Sequence, residues 1–141
     1  MSIQEKEKNI ISEFSNYTDW MDRYNRIIDY GKTATKIEDS QKTEANLIKG
    51  CQSRVWLSAE LIDGKIYFKT DSDAVITKGI AALLIFVYNG ETPADILAHE
   101  PFFIEKIGLK EHLSPTRSNG LQSMLKQIKM YALAFKLKTT I

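Results

Sequence analysis

Asp63-Gly64 stands between two short apolar runs: Val55-Trp56-Leu57 continuing to Leu61-Ile62 before it, and Ile66-Tyr67-Phe68 after it. Asp-Gly supplies the left-handed backbone positions of a two-residue hairpin, so the runs read as antiparallel strands. The sequence on either side has a different period. Ile10, Phe14, Tyr17, Met21, Tyr24 and Ile28 recur at steps of four and three, and Leu121, Leu125, Ile128, Ala132 and Phe135 do so near the end. Both series are apolar stripes of helices. Helices, then a small antiparallel sheet, then helices define an α+β chain.

Local signals fill in the rest. Thr18-Asp19 resembles an N-cap inside the first stripe, which leaves one helix or two helices with a corner equally open. Gly31 with Lys32 offers a C-terminal stop, and the polar residues 32–45 read as a surface connection. Leu47-Ile48 is expected to add a third strand, which makes Gly50-Cys51-Gln52-Ser53 a turn with the cysteine at its tip. The run Ala82 to Val87 could be a buried strand. The length of 72–88, its alanines and the caps offered by Ser72 and Asp73 favour a buried helix. Thr92-Pro93-Ala94-Asp95 has the cap, N1 proline and N3 acid of a new helix, so Gly90 closes the preceding one. A short helix follows Pro101 and ends at Gly108. No repeat or linker divides the chain, and a single domain over 1–141 is expected.

With 141 residues, the chain can bury one core without disulfides or metal. Its formal charge of +1 argues against gripping nucleic acid through an overall field. The charge is uneven: residues 106–141 carry seven basic side chains and one acid, Glu111. This reads as a solvated basic helix face or as a docking surface for an acidic or phosphate-bearing partner. The N-terminus alternates charges without the apolar core of a signal peptide, and the longest apolar stretch, 79–88, is half a membrane span. A cytoplasmic protein without membrane contact is the expectation.

Cys51 is the only cysteine, and the two histidines are His99 and His112. That excludes an internal disulfide and a cysteine-rich zinc site. A lone cysteine is usually a small inert hydrophobe. Here Gly50 removes bulk, Gln52 and Ser53 are polar, and Lys49 and Arg54 flank the position with positive charge. Lowering a thiol pKa by one unit takes about 1.4 kcal/mol of preference for the anion, which two nearby cations can supply. The residues therefore permit a nucleophilic thiol. No spacing rule brings His99 or His112 to it. Asp71-Ser72-Asp73 lacks the glycine and distal glutamate of a calcium loop, and no glycine-rich phosphate cradle is present.

Gly50-Cys51-Gln52-Ser53-Arg54-Val55-Trp56-Leu57 resembles the G-C-Q-S-x-V-W signature of the SufE family, sulfur-acceptor proteins that have CsdE as a close relative. Asp71-Ser72-Asp73-Ala74 with Lys78-Gly79 and Ala82-Leu83 is similar to the family's central segment. His112-Leu113-Ser114-Pro115-Thr116-Arg117-Ser118-Asn119-Gly120-Leu121 resembles its H-L-S-P-S-R-x-x-G-L segment, with Thr116 where serine is common. Residues 32–45 contain no proline, where the family often has several.

The resemblance implies a SufE-like fold with the cysteine on a loop of a three-stranded antiparallel sheet. It implies that Cys51 takes sulfur from the persulfide of a SufS-type cysteine desulfurase and passes it to an iron–sulfur cluster scaffold. The chain would then be a sulfurtransferase-like carrier that itself holds no cofactor, with pyridoxal phosphate on the desulfurase. Between partners the tip should fold back against apolar surface. Gln52 and Ser53 would shape the turn, and Arg117 would stabilise a thiolate, dock the desulfurase or only cap the last helix. Asp73 and His112 are expected to be structural and Trp56 to be core. Two other classes stay open: an adaptor that needs no thiol, and a hydrolase that needs a histidine within reach of Cys51.

Overall fold

The computed structural model describes residues 1–139. Helix α1 (Ile3–Ser15) opens with a capping box, Ser2 Oγ accepting the Glu5 N–H while the Glu5 carboxylate reaches back. The chain turns a corner at Asn16–Asp19 into α2 (Trp20–Thr33), where Asp19 accepts the Met21 N–H at 3.1 Å. Two helices, not one, carry the first apolar stripe. The corner shifts the stripe: Met21 is 58% exposed, Tyr24 and Ile28 are half-buried against the core, and the fully buried residues of α2 are Ile27, Tyr30 and Gly31.

Gly31 is not the stop that its type suggests, since α2 continues to Thr33. It lies against Gly79 of α3 (Val75–Tyr88), and a Cβ on Gly79 would stand 2.2 Å from the Ile27 carbonyl oxygen. The two helices meet backbone to backbone. Helix α3 buries residues on all of its faces, from Ile76 to Tyr88, which is the signature of a central helix. Its N-cap is Ala74, whose N–H donates to Ser72 Oγ at 3.2 Å, while Asp73 turns aside to accept the Arg54 N–H.

The hairpin forms as expected. Strands β1 (Val55–Ile62) and β2 (Lys65–Ser72) pair antiparallel, with Asp63 and Gly64 at φ 52° and 78°. Val55, Leu57, Ile66, Phe68 and Thr70 face inward. The expected third strand is absent among the described residues. Leu47 makes one isolated bridge to Trp56 because a 3-10 turn at Glu44–Asn46 and the left-handed Gly50 leave no extended run to pair. Trp56 is half-buried on the outer face under the Lys42 ammonium, 5.4 Å from its ring centroid, and is not a core residue. The connection at 32–45 is polar but not wholly superficial: Ile37 is 1% exposed and its N–H donates to Thr70.

After Gly90 (φ 75°), Thr92 caps α4 (Pro93–Ala98) as its sequence indicates. Two one-turn helices, α5 (Phe103–Lys106) and α6 (Leu109–His112), flank Gly108, and α7 (Pro115–Thr139) closes the fold. A buried chain of hydrogen bonds ties the ends together. Tyr88 Oη meets His99 Nδ1 at 2.9 Å, His99 Nε2 meets Glu7 Oε1 at 3.1 Å, and Glu7 Oε2 accepts the Phe103 N–H at 3.1 Å.

Glu7→Ala would leave both His99 Nε2 and the Phe103 N–H without a partner. It should cost about 3 kcal/mol of unfolding free energy in a urea titration, and Glu7→Gln distinctly less. Burial pushes the Asp71 carboxyl up, but the Lys42 ammonium at 2.7 Å, the Ser72 N–H and Lys78 outweigh it and hold the group below its usual range. A carboxyl depressed by folding contributes stability above its unfolded pKa, and that contribution fades as pH falls toward the folded value. Asp71→Asn should therefore flatten the acid limb of a stability-versus-pH curve while lowering stability at neutral pH.

Candidate functional site

The thiol is carried by the loop between Ile48 and Val55, closed at its base by the Ile48 N–H donating to the Val55 carbonyl at 2.8 Å. Gly50 sits at φ 89°, a conformation costly for any residue with a Cβ. A Cβ there would also stand 2.5 Å from Ser123 Oγ of α7. The position thus requires glycine twice, for its backbone angle and for the approach of the loop to the helix.

That approach lays Cys51 on α7. Its Sγ donates to the Gly120 carbonyl oxygen at 3.6 Å, and a side chain on the buried Gly120 would begin 3.5 Å from the sulfur. The thiol is half-buried, and burial alone pushes its pKa up. Lys49 and Arg54 flank it in sequence, yet both side chains are exposed. The turn is folded back onto α7.

A cavity of about 410 Å³ opens beside the sulfur. Thr77 and Ile80 of α3 and Met124 of α7 line it, all three buried, and Ser114, Thr116 and Arg117 form the rim together with Gln52 and Ser53. Ser114 Oγ accepts the Arg117 N–H at the start of α7, so Ser114 supplies the cap. The Arg117 guanidinium is exposed and lies 3.5 Å from Tyr24 Oη.

Neither histidine serves the thiol. His99 is held between Tyr88 and Glu7, and the His112 ring stacks on Trp20 with centroids 4.4 Å apart. Sequence reasoning assembled Gly50, Cys51, Gln52, Ser53 and Arg117; the fold brings the last four together around one cavity and sets Gly50 beside it, against Ser123. It missed Ser123, Thr77, Ile80 and Met124. Ser123 carried a faint signal, being a small residue one turn beyond Gly120 on the shoulder of an apolar stripe, but nothing local pairs it with Gly50.

Residues 8–132 match the SufE family pattern, described as an Fe-S metabolism associated domain. Over 128 residues, 91% of this chain and 80% of the relative, the sequence is 41% identical to an uncharacterized SufE-like protein of Synechocystis sp.. A hypothetical protein of Thermus thermophilus, known from its solution structure, shares the fold with a TM-score of 0.76 at 23% identity, over 92% of this chain and 94% of that one. The chain belongs to the SufE family, which its description ties to Fe–S metabolism. Among the described residues no helix is long and apolar enough to cross a membrane.

Gly50→Ala should lift the loop from Ser123 and speed iodoacetamide labelling of Cys51. Gly64→Ala is the control: it suffers a similar backbone strain at φ 78° but meets nothing within 4 Å, and it should label at the wild-type rate.

Proposed function

We propose that this chain, acting as one domain over 1–141 in the cytoplasm, is a sulfur carrier that takes persulfide sulfur from a SufS-type cysteine desulfurase onto Cys51. It then delivers the sulfur to an iron–sulfur cluster scaffold. The observation that carries the reading is a half-buried thiol on a loop that starts at a left-handed glycine, hydrogen-bonded to a carbonyl beside a cavity lined by Ile80 and Met124. A hydrolase would need a base at the sulfur, and the hydrogen bond made there goes to Gly120 instead.

The loop leaves α7 and enters the recessed site of the desulfurase. Freed from burial, the thiol regains an ordinary pKa and gives its proton to solvent or to a base of the partner. The Cys51 thiolate attacks the outer sulfur of the donor persulfide, the donor S–S bond breaks, and the donor cysteine departs as a thiolate. One sulfur–sulfur bond forms as one breaks, so no external oxidant or reductant enters. The loop then returns, and the new outer sulfur lies in the cavity over Ile80 and Met124, away from soluble reductants. Arg117 at the rim offers positive charge to the persulfide anion, and Gln52 and Ser53 shape the turn. Pyridoxal phosphate chemistry stays on the desulfurase.

Incubated with a cysteine desulfurase and cysteine without reductant, the protein should gain the mass of one sulfur atom at Cys51. Cys51→Ser should keep the thermal midpoint, gain no sulfur and fail to stimulate the desulfurase. A serine variant that still stimulates would replace this reading with that of an adaptor.

A further inference from the structure

One rim of the Cys51 cavity belongs to a segment with little regular structure of its own. Between Ile107 and Arg117 the chain makes the single turn of α6, then Leu113 and Ser114, then the first residues of α7. Helix α2 holds this segment from outside by three side chains on one face, spaced i, i+3 and i+4. The Arg23 guanidinium donates to the Ile107 carbonyl at 2.8 Å, and its Nε ties it to the Tyr17 carbonyl at 2.8 Å. Trp20 stacks on His112 with the ring planes 17° apart, and Tyr24 meets Arg117. Gly108 (φ 84°) makes room for the arrangement, since a Cβ there would stand 3.2 Å from His112 Cδ2 and 3.3 Å from Arg23 Nη1.

We propose that Trp20, Arg23 and Tyr24 are positioning residues that clamp residues 107–117 and so set how readily the Cys51 loop leaves its cavity. The clamp acts on the thiol through α7. Arg117 lies in the first turn of the helix that three residues later offers its Gly120 carbonyl to the sulfur, and after three more presents Ser123 to Gly50. Loosening the first turn of α7 shifts both surfaces against which the loop rests. The stack is the adjustable part, because the His112 side chain is exposed and its removal uncovers only one face of the half-buried Trp20. The proposal takes Cys51 as the working thiol, and so rests on the reading given above.

The test is the rate at which iodoacetamide labels Cys51 in the free, full-length protein, under conditions where labelling reports the open fraction of the loop. His112→Ala should speed labelling about fivefold, the population shift that an aromatic contact of this kind supports. His112→Phe, which keeps a ring over Trp20, should return the rate to within about twofold of wild type. Both variants should melt within about 5 °C of the wild type, the shift that a fivefold change in a native-state contact implies for a chain of this size. Lys110→Ala, which removes the exposed pair with Glu105 on the same turn, should change nothing.

Wild-type labelling of His112→Ala overturns the clamp, as does equal acceleration by alanine and phenylalanine. A fall in thermal midpoint well beyond about 5 °C also overturns it, because the faster labelling would then report general unfolding. Because no desulfurase is present, these outcomes are independent of sulfur acceptance. A wild-type protein that takes up no sulfur would sink the carrier reading while the clamp result stood.

Discussion

The contact between Gly31 and Gly79 sets the depth at which everything else in the fold packs. With a methyl group on Gly79, 2.2 Å from the Ile27 carbonyl oxygen, α2 could not lie on the backbone of α3, and one on Gly31 would be tight at 3.0 Å from the Gly79 nitrogen. A wider crossing would tilt α2 relative to the helix that carries Thr77 and Ile80 into the Cys51 cavity. Toward its N-terminal end, α2 also holds Trp20, Arg23 and Tyr24 against residues 107–117. The inner lining and the outer rim of the cavity thus refer to one backbone-to-backbone approach. Two glycines far from the cysteine are among the residues that place it.

Under the proposed function, the Cys51 thiol faces opposite demands at rest and in reaction. Reactivity favours the thiolate, and the sequence offers Lys49 and Arg54 as if to supply it. The fold supplies the reverse. Burial raises the pKa, and the hydrogen-bond partner is a carbonyl oxygen, which has nothing to donate to an anion and so favours S–H. The resting site is built to keep the sulfur quiet. Ionisation and departure from α7 are therefore linked: whatever draws the loop out removes both the burial and the carbonyl, and releases a nucleophile where it is needed.

How much of this is legible in the sequence depends on how local the cause is. The hairpin is legible because Asp63-Gly64 specifies its own backbone angles. The Thr92 cap is legible for the same reason, whereas Thr18-Asp19 leaves one helix or two equally open until the fold shows the corner. Helix α3 is legible although 82–87 could be a strand, because length and alanine content outweigh β-branching. The failures are all tertiary. Gly31 looks like a helix stop but is a packing contact, and Met21 continues a stripe whose partner helix ends at the corner. Leu47-Ile48 has strand residues but too short an extended run to use them. Trp56 alternates onto the outer face, where Lys42 covers it. A single sequence cannot say which glycine meets another glycine or which strand face meets water.

The cavity shows why its residues are easier to find in blocks than one by one. The segments 50–57, 71–79 and 112–121 are far apart in sequence, and each looks ordinary as secondary structure: a loop, a strand end leading into a helix, and a turn before a helix. Each contributes what the others lack. The first brings the sulfur and the glycine that lets it approach, the second brings Thr77 and a continuous buried helix behind it. The third brings the Gly120 carbonyl, the Ser114 cap and the Arg117 charge. Because the three touch only through the folded chain, a change in any one is felt at the sulfur. Trp20, Arg23 and Tyr24 of α2 contact the third block and its approach without touching the thiol, so their bearing on the sulfur runs only through that block.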